Sequence, residues 1–210
     1  IPSLNNGFTN WDDDIYVTEN WKIKALSWYN IKHIFSTTHY GGYEPLTEFA
    51  FAVIYRFFNL NARIYHLFNL LFHIANSCLV FYLIYLIGKR IDVSMLSALL
   101  FAIHPMRVES VAWISELKDV LFTLFFLISL IHYVIYIQRK DKRYYYSSVL
   151  FFILCLLPKS QALMFPFVLI LTDYFLARKI NQKSLTEKFP YFLISAVFFL
   201  VLYFGAKETG

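Results

Sequence analysis

Three adjacent carboxylates, Asp12, Asp13 and Asp14, stand in the stretch NWDDDIY (10–16). Neighbouring carboxylates repel, which favours a protonated form of at least one unless a cation lies close. A carboxylate so placed can serve as general base toward an acceptor hydroxyl. The structural alternative is a helix N-cap ahead of IYVTEN, because acids are common at helix starts. A second polar group lies in HPMRVESVAWISELKD (104–119). His104 and Glu109 flank a proline-started turn there, and Arg107 and Lys118 supply cations suited to phosphate. Asp119 begins the next apolar run and is placed to cap it. Lys159, in PKSQ (158–161), is a third such cation.

The rest of the chain must position these groups, and it is greasy. Hydrophobic residues make up 59% and charged residues 16%, against about 25% charged in a soluble domain. The mean hydropathy is +0.52, and apolar runs approach the ~20 residues that cross a bilayer. The fold class is therefore an all-α polytopic membrane protein. The net charge of +5 then concerns topology and lipid headgroups, and no nucleic-acid partner is implied. Cys78 and Cys155 each sit in an apolar run and read as small core residues. The opening IPSLNNGF and the closing GAKETG lead us to expect a piece of a longer protein, with a helix before Ile1 and more chain after Gly210.

Six runs are expected to cross: 64–87, 92–103, 120–137, 144–157, 162–177 and 189–204. If all do, the loops 88–92, 138–143 and 178–188 share one side and carry ten basic residues. The short loops opposite carry only Arg107, Lys118 and Lys159. The positive-inside rule makes the basic loops cytoplasmic, and their charges read as topology signals with little chemistry. Residues 1–63 form the first non-cytoplasmic loop, and 205–210 start another. In the first loop, Trp21, Ala25, Trp28 and Phe35 predict one amphipathic helix over 20–35. Leu46, Phe49, Val53 and Phe57 predict a second over 44–58, both lying on the membrane surface. HYGGYEP (39–45) reads as the turn between them.

His66, Asn69, His73 and Asn76 recur at spacings of three, four and three, which puts them on one helix face. Polar side chains are costly toward lipid, so the stripe should face the bundle. Interhelical hydrogen bonding is the preferred role. No third ligand accompanies the histidines, so no metal site is predicted.

LNNGFTNWDDDIYVTEN, YGGYEPLTEFAFAVIYRFF, IYHLFNLLFHIANSCLVFYLI, the 104–119 stretch and LLPKSQALMFPFVLILTDYF occur in this order. Together they resemble the GT-C membrane glycosyltransferases of the TMTC-like protein O-mannosyltransferase group, whose bacterial relatives carry tetratricopeptide repeats. The resemblance implies a GT-C-like helical bundle. It implies transfer of a hexose, often mannose, from a polyprenyl-phosphate sugar to a protein hydroxyl with inversion. Asp12 and Asp13 match the family's Asp-Asp pair, and Asp14 falls on a variable position. His104 and Glu109 match its His-Pro-to-Glu element, and Lys159 the Lys of its Ser-Lys-Glu element. The lipid phosphate is already a good leaving group, so no obligatory metal or cofactor is expected. The sequence departs from the pattern at Glu44, where Arg is usual, at Lys118 in place of Arg, and in PKSQ (158–161), where Ser-Lys-Glu is usual and Ser160 replaces the acid. The expected setting is an integral membrane, either a bacterial inner membrane or the endoplasmic reticulum. A non-catalytic scaffold or a transporter-like bundle is the alternative class.

Overall fold

The computed structural model describes residues 2–38, 42–179 and 181–208. The described chain is helical, with no strand among the described residues. In the first loop, α1 (Trp28–Ser36) and α2 (Pro45–Phe58) follow three short turns. The bundle consists of α3 (Ala62–Gly88), α4 (Ile91–Ile103), the short α5 (Val108–Ala112), α6 (Leu117–Arg139), α7 (Lys142–Leu156), α8 (Phe165–Phe175) and α9 (Gln182–Glu208). Local chemistry sets many of these limits. Pro45 opens α2, where its fixed φ suits the first turn. Asp141 caps α7 by accepting from the Arg143 amide at 2.9 Å. Lys89 and Lys140 end α3 and α6 in the left-handed region, at φ 53° and 59°.

Among the described residues, three helices are long and apolar enough to cross a membrane: Ala62–Gly88, Ile114–Arg139 and Gln182–Phe204. The helices Ile91–Ile103 and Pro105–Ala112 make a fourth span if their 56° bend lies within the bilayer. That bend falls at His104–Pro105, where the ring removes a helical hydrogen bond. With 15 residues, α7 rises only about 22 Å, short of the ~30 Å hydrocarbon core. The apolar segment Ser160–Phe175 begins as a tight 3-10 turn before becoming α8.

Two apolar cores hold the molecule. Leu130, Tyr133, Phe152, Phe165 and Tyr191 pack α6, α7, α8 and α9 together. Val17, Ile23, Ile34, Phe51, Tyr65 and Leu117 clamp the first loop onto α3 and the start of α6. Outward faces stay apolar: Met95, Leu96, Leu99 and Leu100 of α4 are all exposed, as a lipid-facing helix requires.

Several expectations need correction. Residues 20–35 are not one helix. The Asn20 side chain accepts from the Lys22 amide and starts a 3-10 turn at Trp21–Lys24. Ala25 is extended, and Ser27 then caps α1 by accepting from the Asn30 amide at 3.1 Å. Two capping side chains thus break the period that the apolar residues suggested. Trp21, Trp28 and Phe35 still face outward. Helix α2 forms as predicted, with Phe57 exposed on the expected side and Glu48, Phe51 and Ile54 inward. Cys155 is buried, but Cys78 is exposed, in a groove between α3 and α4. Helix α9 runs to Glu208, so the loop predicted from 205 is helical as far as it is described. Residues 39–41 of the predicted turn, and 209–210, lie outside the described residues.

Candidate functional site

The aspartates occupy one helical turn, which takes π geometry over Asp14–Thr18. The Glu19 amide closes it onto the Asp14 carbonyl at 2.8 Å. Such wide turns recur at functional sites, and here the turn sends three adjacent carboxylates three ways. Asp13 is wholly buried. Its Oδ2 accepts from the Thr9 amide and hydroxyl at 2.9 and 3.1 Å. Its Oδ1 accepts from the Ser115 amide and hydroxyl at 2.9 and 2.5 Å. The first loop is thereby stapled to the turn that precedes α6. Asp14 stays local, accepting from the Ile15 amide at 2.8 Å.

Asp12 points outward, with its side chain 41% exposed and Oδ2 3.9 Å from Lys118 Nζ. Lys118 also lies 3.6 Å from Glu116 Oε1 and sits over the Tyr16 ring at 5.0 Å. Asp119, one residue on, forms an ion pair with Lys159. Glu44 hydrogen-bonds Tyr16 and feels the charges of Lys118 and Lys159. Burial pushes the Glu44 carboxyl above its ordinary value, against the pull of Lys118, the Tyr16 hydrogen bond and Lys159. Burial likewise pushes the Tyr16 phenol up, with Glu44 and Asp12 adding to the shift. The site therefore gathers Asp12, Glu44, Glu116 and Asp119 around two ammonium groups. Four carboxylates exceed two cations, and burial offsets part of this excess by favouring neutral Glu44.

The other predicted site residues fall elsewhere. His104 is exposed, and its Nδ1 accepts from the Met106 amide at 3.2 Å, capping the turn after α4. Arg107 lies over the Phe101 ring at 4.8 Å. Glu109 lines an open groove of about 360 Å³ with Thr9, Asn10, Trp11 and Trp113. Among the described residues, no hydrogen bond or ion pair joins these three to the Lys118 cluster.

The α3 stripe is buried at all four positions. Asn69 donates to the Trp113 carbonyl at 2.7 Å and Asn76 to the Val120 carbonyl at 2.9 Å. His73 Nε2 pairs with the Ala102 carbonyl at 3.0 Å. His66 lies against the backbone of Asn6 and Gly7, beside the Asp13 carboxylate. Three of the four thus hydrogen-bond across to neighbouring segments. Asn69 and Asn76 also fix the 113–120 stretch from which Ser115, Glu116, Lys118 and Asp119 project.

Sequence reasoning missed two charged clusters. Lys22 is buried against Glu48 at 3.1 Å. Arg178 and Lys188, read as topology signals, belong to a network on Asp173. Lys188 Nζ lies 2.5 Å from Asp173 Oδ2, both groups being almost fully buried. The Tyr133 hydroxyl donates to Asp173 at 2.9 Å, and Arg178 reaches Glu187 at 2.5 Å. Asp173 within an apolar run was the available signal, since an intramembrane acid demands a partner.

Residues 45–204 match the family model described as dolichyl-phosphate-mannose-protein mannosyltransferase. The chain belongs to this family of membrane-embedded transferases. The acidic turn lies ahead of the matched range. A Caenorhabditis elegans protein O-mannosyl-transferase is 31% identical over 140 residues, covering 63% of this chain and 19% of its own length. Mouse protein O-mannosyl-transferase TMTC3 is 36% identical over 92 residues, covering 43% of this chain and 10% of its own. Human TMTC4 is 29% identical over 143 residues, covering 61% of this chain and 19% of its own. The chain thus spans about a fifth or less of the curated relatives it matches. No solved structure matches.

Proposed function

We propose that this chain forms the membrane-embedded site of a transferase that moves mannose from a polyprenyl-phosphate sugar to a protein hydroxyl. The observation that carries this reading is the convergence of Asp12, Lys118, Asp119 and Lys159 from three separate segments. Similarity to the protein O-mannosyl-transferases supports it. Asp12 is the base: it is accessible, and among the described residues only a long contact to Lys118 engages it. Asp13 is a positioning residue, because its oxygens already accept four hydrogen bonds. Asp12 takes the proton of an acceptor Ser or Thr hydroxyl as that oxygen attacks the anomeric carbon. The bond from that carbon to the phosphate oxygen breaks on the opposite face, so the configuration inverts. Polyprenyl phosphate departs with the electron pair, and Lys118 and Lys159 balance its charge. This scheme needs no obligatory metal or cofactor. This reading puts the acidic loop on the non-cytoplasmic side of six crossings.

The test supplies radiolabelled polyprenyl-phosphate mannose to membranes holding the full-length protein and follows label into protein. General-base loss costs roughly 10²–10⁴-fold, so Asp12→Asn should lower transfer at least a hundredfold at matched expression. Equal transfer by both proteins refutes the assignment of Asp12. A non-catalytic scaffold would transfer nothing with any donor and would tolerate Asp12→Asn silently.

A further inference from the structure

The end of the bundle remote from Asp12 holds a second constructed cleft. It occupies about 340 Å³ between the ends of α6, α7 and α9, and Tyr136, Lys142, Tyr145, Tyr146, Lys183 and Glu187 line it. It brings together two loops, 138–143 and 178–188, that are far apart in sequence and rich in Lys and Arg. Five turns of α6 separate it from Lys118, about 27 Å along the axis. It is therefore not part of the Asp12 site.

Its charge is unbalanced by design of the packing around it. Among the described residues, Glu187 is the one carboxylate lining the cleft, and it is already engaged. Arg178 Nη2 holds one oxygen at 2.5 Å and the Tyr136 hydroxyl the other at 2.9 Å. The Tyr145 hydroxyl is tied to the Glu187 carbonyl at 2.9 Å. The floor beneath is fixed by the Asp173–Lys188 pair. Lys142 and Lys183 have no ion-pair partner among the described residues. Two ammonium groups thus face a tyrosine-walled cleft whose one carboxylate, among the described residues, is already paired with Arg178.

An apolar stripe descends from the same cleft. On α7, Tyr146, Leu150 and Ile153 recur one helical turn apart and are 66%, 55% and 41% exposed. A cationic cleft above an apolar stripe is complementary to an amphiphile with an anionic head and acyl chains. The tyrosines sit where a membrane interface places them, and basic pockets between spans bind anionic headgroups.

We infer that this cleft is a binding site for the phosphate headgroup of an anionic phospholipid, whose acyl chains lie along α7. The lipid acts as a structural ligand at the basic end of the bundle, distinct from any sugar donor at Asp12.

The full-length protein, purified in detergent, would be equilibrated with equal amounts of phosphatidylglycerol and phosphatidylcholine, and the retained lipid counted by native mass spectrometry. Two lysines at a membrane surface predict a preference for phosphatidylglycerol of roughly thirtyfold. Lys142→Gln with Lys183→Gln should abolish that preference, and both positions are exposed enough to leave the fold intact. Lys89→Gln removes one charge from another basic loop and should leave it unchanged. Equal retention of the two lipids, or undiminished preference in the double variant, overturns the site. An equal loss in Lys89→Gln shows general charge attraction and overturns it too. Inorganic phosphate shifting thermal unfolding as far as phosphatidylglycerol would identify a free-anion site instead. None of these readouts depends on sugar transfer, so failure of the transferase reading leaves this one standing.

Discussion

Removing the Asp13 carboxylate should release the first loop from the bundle. Asp13→Ala leaves the Ser115 amide and hydroxyl without their acceptor, and Ser115 is wholly buried. An unsatisfied buried polar group costs about 1–3 kcal/mol, so the two together cost about 2–6 kcal/mol. The Thr9 side adds little, because Thr9 is exposed and water replaces the lost acceptor. Asp13→Asn keeps one acceptor oxygen toward Ser115 but turns an amide NH2 toward the Thr9 donors. Its cost should be smaller, about 1–3 kcal/mol. Asp12→Asn breaks only a long, half-exposed ion pair and should cost at most about 1 kcal/mol. The assay is thermal unfolding of the full-length protein in detergent, paired with hydrogen exchange across 9–19 and 113–117. Exchange in both segments should accelerate together in Asp13→Ala, because one staple joins them. A double-mutant cycle with Ser115→Ala should show a coupling of about 1.5–3 kcal/mol. A wild-type midpoint with unchanged exchange, or zero coupling, would refute the staple.

Two further outcomes follow from the buried charges. Lys22→Met strands the Glu48 carboxylate in the core of the first loop and should cost about 3–5 kcal/mol, whereas Lys22→Met with Glu48→Met should recover most of it. Chemical unfolding of the three proteins checks this; equal loss in single and double variants would contradict it. Glu44 titrates above its ordinary value of 4.5 because burial penalises its charge. A raised folded value means its contribution to stability is present at low pH and is lost as pH rises through that value. Glu44→Gln should therefore melt higher than wild type near neutral pH, with the gap closing on acidification toward pH 4. A gap that widens on acidification would reverse the sign.

Chain composition alone fixed the class, because long apolar runs with few charges have no stable home but a bilayer. The stripe on α3 was legible for the same reason. Side chains at spacings of three and four share a face whatever surrounds them, and a polar face must turn inward. The positions of Asp12, Lys118 and Lys159 as site candidates came from residue type and family resemblance. Local pattern misled where caps intervened: Asn20 and Ser27 divide a stretch whose apolar spacing suggested one helix.

Tertiary structure decided what spacing along one chain does not encode. It assigned different surroundings to three adjacent aspartates, burying Asp13 on Ser115 while leaving Asp12 open to Lys118. It brought Glu44 and Tyr16 to the Lys118 cluster and left His104 to cap a turn. It paired Lys22 with Glu48 inside the first loop and turned Lys188, read as a topology signal, into a partner of buried Asp173. Each outcome depends on which carboxylate or carbonyl a neighbouring segment presents, and burial makes that pairing obligatory. Sequence determined which residues are charged, and packing determined which charges meet.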